Sequence, residues 1–170
     1  MDIALLVLRV VVGLYVAAHG AQKLFGWFGG GGVTGTAGFF GGMLGFRPAK
    51  FWVVADGLAE FGGGILMTVG LLGALGPIGV GASMVTATLV VHWPKGPLAA
   101  NGGYELTLTN LAGAVAIGVA GVGRYSLDHL FGISLPIWFS AAVAILALVG
   151  VVVSIVSRQA PAPQKKPEAA

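Results

Sequence analysis

The chain has 170 residues, of which 56% are hydrophobic and 9% charged, and its mean hydropathy is +0.93. A water-soluble domain of this size carries roughly 25% charged residues, so the composition excludes one and points to an all-α integral membrane protein. The net charge of +3 is scattered, with no basic stripe for nucleic acid, and the lack of cysteine removes disulfides, thiol relays, iron–sulfur ligation and covalent c-type haem.

Crossing the hydrocarbon core takes about 20 apolar residues, and five segments are candidates, the third of them shorter. The first is 3–24. It follows Met1-Asp2 rather than a basic leader, and no small-residue cleavage site ends it, so it reads as a retained helix and not a signal peptide. The Gly-rich stretch 26–32 comes next. No strand precedes it and no Gly-Lys-Ser/Thr follows, so a connector is expected rather than a phosphate cradle. Phe39, Phe40, Met43, Leu44 and Phe46 then form a short apolar face suited to an interfacial or re-entrant helix.

The remaining spans are 51–73, 77–92, 104–122 and 135–156. The fifth carries no ionisable residue between Leu135 and Val156, so a four-helix transmembrane core with a fifth, peripheral transmembrane helix is expected. Residues 1–157 make one transmembrane domain, and 158–170, rich in Pro, Ala and Lys, read as a disordered cytoplasmic tail. Many of the thirty glycines fall inside spans, where small residues let helix backbones approach closely.

Five spans put Lys23, Arg47, Lys50, Lys95, Arg158, Lys165 and Lys166 on one side, with only Arg124 on the other. By the positive-inside rule the N-terminus is outside and the C-terminus cytoplasmic, in the cell (inner) membrane.

Ionisable groups inside a bilayer are costly and mark function by default. His19, Asp56, Glu60, His92 and Glu105 fall in the cytoplasmic half of four different spans, and Asp56 and Glu60, four apart, share a helix face. Arg9 lies deeper, about 15 Å from His19 by helical rise. The plain structural reading pairs Arg9 with Glu60 to hold two helices in register. It also leaves Glu105 at the membrane surface and makes His92-Trp93 an interfacial anchor. His19 and His92 on facing helices would suit haem, but no supporting motif accompanies them, and no metal site is expected. The convergence of five such groups at one end favours a functional site.

The same residues carry a family resemblance. Leu8-Arg9 through Gly13, His19-Gly20-Ala21-Gln22-Lys23-Leu24-Phe25-Gly26 and Ala59-Glu60-Phe61-Gly62-Gly63-Gly64 resemble the DoxX family. So do His92-Trp93, Asn101-Gly102-Gly103-Tyr104-Glu105-Leu106 and Gly121 through Asp128, and the likeness covers about residues 4–131. It implies a small bacterial-type membrane protein with a four-helix core, linked in some members to thiosulfate–quinone oxidoreductase or to membrane oxidative-stress complexes. On that basis the chain is expected to be a membrane subunit of a quinone-linked redox assembly, with protein partners in the bilayer. The residues suggest a quinone site: His19 or His92 for a carbonyl, Glu60 or Glu105 for the proton, and Trp93 or Tyr104 against the ring. The alternatives are a scaffold subunit without its own site and a small-molecule carrier through the Arg9–Glu60 region.

Overall fold

A computed structural model describes residues 1–159. Seven α-helices appear among them and no strand: α1 (Asp2–Phe25), α2 (Gly32–Gly42), α3 (Ala49–Val69), α4 (Leu75–Ala87), α5 (Glu105–Ala120), α6 (Leu127–Phe131) and α7 (Ile137–Val156). The expected tail begins at 158, and its residues from 160 onwards lie outside the described part.

Local chemistry sets the helix ends. Asp2 opens α1 and Lys23 stands in its last turn, each complementing the helix dipole, and Gly26 stops it in the left-handed conformation at φ 75°. Gly70, at φ 66°, stops α3, so the second span is 49–69 and not 51–73. α4 continues past Ala87 through a wider π-helical turn, Thr88–His92, into a 3₁₀ turn, Trp93–Lys95.

Four helical stretches are long and apolar enough to cross a membrane: Asp2–Phe25, Ala49–Val69, Leu75–Lys95 and Ile137–Val156. The predicted span 104–122 is the shorter α5, with 16 residues, which still joins the two ends of the bundle. Helices α1, α3, α4 and α5 pack as a core around Val12, Val16, Met67, Val80, Met84, Ala114 and Ile117. The contact between α1 and α3 depends on glycine. A Cβ on Gly64 would lie 2.6 Å from the Gly13 carbonyl oxygen, and one on Gly20 would lie 2.3 Å from the Phe61 nitrogen. α7 is peripheral, burying only 11% of its span, and it leans chiefly on α4. The Gly-rich stretch is a connector that winds into α2. That helix turns Phe40 inward, with Leu44 and Phe46 just after it, and leaves Phe39 and Met43 exposed.

The end of the bundle away from Lys23 is closed by a polar knot. Arg9 is 1% exposed; its guanidinium donates to the Thr68 carbonyl at 3.2 Å and to the Tyr125 carbonyl. Asp128 accepts from the backbone N–H groups of Leu72, at 2.8 Å, and Gly73, at 2.6 Å. Its own N–H donates to the Gly70 carbonyl at 3.0 Å. Leu72 has φ 61°, a left-handed conformation unfavourable for a side chain with a Cβ. The two bonds from Asp128 hold the α3–α4 turn in that shape.

Asp128→Ala should therefore lower stability by about 2–3 kcal/mol, because two N–H groups lose a charged acceptor. Adding Leu72→Gly should restore about 1 kcal/mol by removing the strained conformation. Melting in detergent measures both effects; an Asp128→Ala protein that melts like the parent would show that the knot contributes nothing.

Candidate functional site

At the opposite end α1, α3 and α4 bring four polar side chains to a common point, two of them from α3. Asp56 and Glu60, one helical turn apart on α3, face Lys23 in the last turn of α1. The Lys23 ammonium lies 2.6 Å from Asp56 Oδ2 and 2.7 Å from Glu60 Oε2. From α4 the Ser83 hydroxyl lies 2.6 Å from Asp56 Oδ1 and 3.0 Å from Glu60 Oε1. The side chains of Lys23 and Asp56 keep 21% and 17% exposure, whereas that of Glu60 keeps 3%. The group thus runs from a partly open edge to a closed interior.

These four residues border a cavity of about 550 Å³ that reaches from α1 to α7. Its other walls are mainly apolar. Phe39, Phe40, Leu44 and Phe46 come from α2 and the loop after it, Trp52 and Ala59 from α3, and Ala147, Gly150 and Val151 from α7. The π-helical turn of α4 supplies Val90, Val91 and His92, and Thr88 within it bonds Thr107 of α5 at 2.7 Å. His92 Nδ1 lies 2.6 Å from the Gly102 carbonyl. A carbonyl only accepts, so Nδ1 carries the hydrogen, and in a neutral ring Nε2 keeps a lone pair. His19 also borders the cavity, its ring edge-on to Tyr15 with centroids 5.1 Å apart.

The sequence-derived candidates therefore divide. His19, Asp56, Glu60 and His92 meet at the cavity. Arg9, Trp93, Tyr104 and Glu105 do not border it. The expected Arg9–Glu60 pair does not form. Arg9 is taken by backbone carbonyls of the far knot, and Glu60 by Lys23 and Ser83. Trp93 and Tyr104 stack on each other, centroids 5.0 Å apart and planes at 18°. Glu105 accepts from the Ala99 N–H at 2.8 Å and braces the loop between α4 and α5.

Two residues of the site escaped the sequence reading. Lys23 reads as one of the loop charges, although it stands four residues after His19 and so shares its helix face. Ser83 is one hydroxyl in an apolar span. The signal for both was the pair Asp56 and Glu60, which cannot be buried without a cation and hydrogen-bond donors.

The fold and this cavity define an α-helical membrane protein with a polar group enclosed in its bundle. The DoxX family model matches residues 4–93, more than half of the chain, and the chain belongs to the DoxX family. The match includes His19, Lys23, Asp56, Glu60, Ser83 and His92; the segments at 101–106 and 121–128 lie beyond it. No curated protein and no solved structure matches the chain.

Removing Lys23 should be the most damaging change at this site. Lys23→Met leaves the carboxyl pair without a counter-ion; its cost is expected near the lower end of the roughly 3–5 kcal/mol typical of a broken buried pair, because Lys23 and Asp56 are partly exposed. Glu60→Gln keeps the Lys23–Asp56 pair and should cost less. Lys23→Met combined with Glu60→Gln should be more stable than Lys23→Met alone. Melting of the three variants in detergent tests the order, and a double variant less stable than Lys23→Met would refute the charge argument.

Proposed function

We propose that this protein is the membrane subunit of a quinone-linked redox assembly and that its cavity takes the quinone. The observation that carries the reading is the joining, in one cavity, of an apolar wall with the Lys23–Asp56–Glu60–Ser83 group and two histidines. A quinone has the matching chemistry: a flat apolar ring, two carbonyl oxygens and an apolar tail. An ammonium has three N–H donors. Asp56 Oδ2 and Glu60 Oε2 engage Lys23, which leaves one donor for a carbonyl. His92 and His19 supply further ring nitrogens on the border of the same space. Apolar pockets with a few placed polar groups are the usual form of a small-molecule site.

The chain has no cysteine, and among its described residues no three His, Asp or Glu side chains cluster as metal ligands. The reading therefore assigns the electrons to a partner protein, which meets the site from the end bearing Lys23, Lys50, Lys95 and Arg158. By its basic residues that end is cytoplasmic. The inner membrane is the setting this orientation implies.

Filling the cavity tests the reading. A Cβ on Gly150 meets nothing within 4 Å, so Gly150→Phe should fold and occupy the space. The parent protein in nanodiscs should bind decylubiquinone, seen as quenching of Trp52 fluorescence, and Gly150→Phe should weaken binding at least about tenfold, a loss near 1.4 kcal/mol. Purification in mild detergent should also retain a redox-active partner. A parent protein that binds no quinone would defeat the proposal; a partner retained without quinone would favour the scaffold reading.

A further inference from the structure

The Ser83 hydroxyl has one hydrogen and two carboxyl neighbours, Asp56 Oδ1 at 2.6 Å and Glu60 Oε1 at 3.0 Å. A hydroxyl donates once and accepts through its lone pairs, whereas an ionised carboxylate only accepts. One hydrogen can serve two ionised carboxylates only as a weakened, forked bond; two full hydrogen bonds require that one carboxyl carry a proton and donate it to Ser83 Oγ. From this geometry we infer that Asp56, Ser83 and Glu60 hold one shared proton and relay it between the more exposed Asp56 and the buried Glu60.

The charges around the group agree with that count. α1 brings Lys23 and His19, α3 brings Asp56 and Glu60, and the end of α4 brings His92; α5 and α7 border the cavity without an ionisable side chain. One ammonium faces two carboxyl groups. With both ionised, the triad would hold an uncompensated negative charge where Glu60 is 2% exposed, which is costly in a bilayer. One proton makes it neutral.

The transfer balances atom by atom. The Asp56 O–H bond breaks as its proton passes to Ser83 Oγ, while the hydrogen already on Ser83 passes to Glu60 Oε1. One O–H bond is lost at Asp56, one is gained at Glu60, and the hydroxyl is re-formed. Glu60 releases its proton to an acceptor in the cavity that both carboxyls border, and the more exposed Asp56 is reprotonated by water. The acceptor there rests on the quinone reading: it is a quinone oxygen whose electrons come from the partner protein. The shared proton itself does not depend on that reading.

Infrared spectra of the protein in nanodiscs at neutral pH, without added quinone, test the shared proton. A carbonyl stretch of a protonated carboxylic acid is expected; it should vanish in Glu60→Gln or Asp56→Asn, whichever removes the resident carboxyl, and change frequency in Ser83→Ala. Absence of the band in the parent, or a band that none of the three variants alters, overturns the inference. Stopped-flow reduction of bound decylubiquinone by dithionite tests the relay. In protein already saturated with quinone, Ser83→Ala should slow the proton-coupled step at least about tenfold, with rescue by Ser83→Thr. An unslowed Ser83→Ala overturns the relay. Failure of the parent to bind decylubiquinone while the infrared changes appear as expected would defeat the quinone reading and uphold the shared proton.

Discussion

Two carboxyl groups on α3 stand one turn apart inside an apolar bundle, and the bundle is arranged to meet them. An isolated buried carboxylate is too costly to keep; the pair requires a cation and hydroxyl donors. Lys23 from α1 and Ser83 from α4 supply these within 3.0 Å, so the requirement fixes three helices against one another. Lys23 is fourteen residues from Arg9, about 21 Å along the helix, and Arg9 is tied to Thr68 at the far end of α3. α1 is thus pinned to α3 at both ends. Between the pins Gly13, Gly20 and Gly64 allow the backbones to touch, and no turn of α1 about its axis would preserve both attachments.

The two pins differ in what surrounds them. The far knot consists mainly of bonds to backbone, from Arg9 to two carbonyls and from Leu72 and Gly73 to Asp128. Arg9 Nε has no partner, yet Arg9 borders no described cavity. The near group joins side chain to side chain, sets the Ser83 hydroxyl between two carboxyl groups, and opens on a space large enough for a ligand. Side-chain groups can exchange protons and partners without unfolding a helix. Backbone anchors cannot. The same need to satisfy charge in a bilayer therefore yields a structural fastening at one end and a chemically versatile group at the other.

Much of this could be read from the sequence because bilayer physics acts on segments. The long apolar runs marked α1, α3, α4 and α7, and the aromatic face at 39–46 marked a short helix between spans. Costly ions mark themselves, so His19, Asp56, Glu60 and His92 could be singled out and grouped at one end. Pairing was the weaker step. Arg9 and Glu60 are the deepest ionisable residues of their spans and opposite in charge, but depth ignores which way a side chain leaves its helix. Arg9 also found acceptors no sequence pattern displays, the carbonyl oxygens of Thr68 and Tyr125. Lys23 stood close enough to the end of its span to pass for a surface charge. Trp93, Tyr104 and Glu105 share the right end of the bundle, but they bond within the loop that joins α4 to α5.

The peripheral helix has a part in the site despite its lack of charge. α7 offers Ala147, Gly150, Val151 and Ser154 to the cavity, residues small enough to leave space between α7 and α4. Its C-terminal end is tied down locally. Arg158 Nε donates to the Leu44 carbonyl at 2.6 Å, its guanidinium lies 5.6 Å from the Phe46 ring centre, and the Gln159 N–H donates to the Gly45 carbonyl at 2.8 Å. Leu44 and Phe46 themselves border the cavity. The ties at the end of α7 thus hold the same short segment that forms the cavity's aromatic wall. Polar groups from α1, α3 and α4 face one side of the space, and apolar groups from α2 and α7 the other. An amphipathic molecule entering it would meet one favourable orientation, with its polar head toward Lys23 and Glu60 and its apolar part against α2 and α7. Reversal would bury the head against Phe40 and Val151 and leave the Lys23 group facing hydrocarbon, with a desolvation cost on both sides.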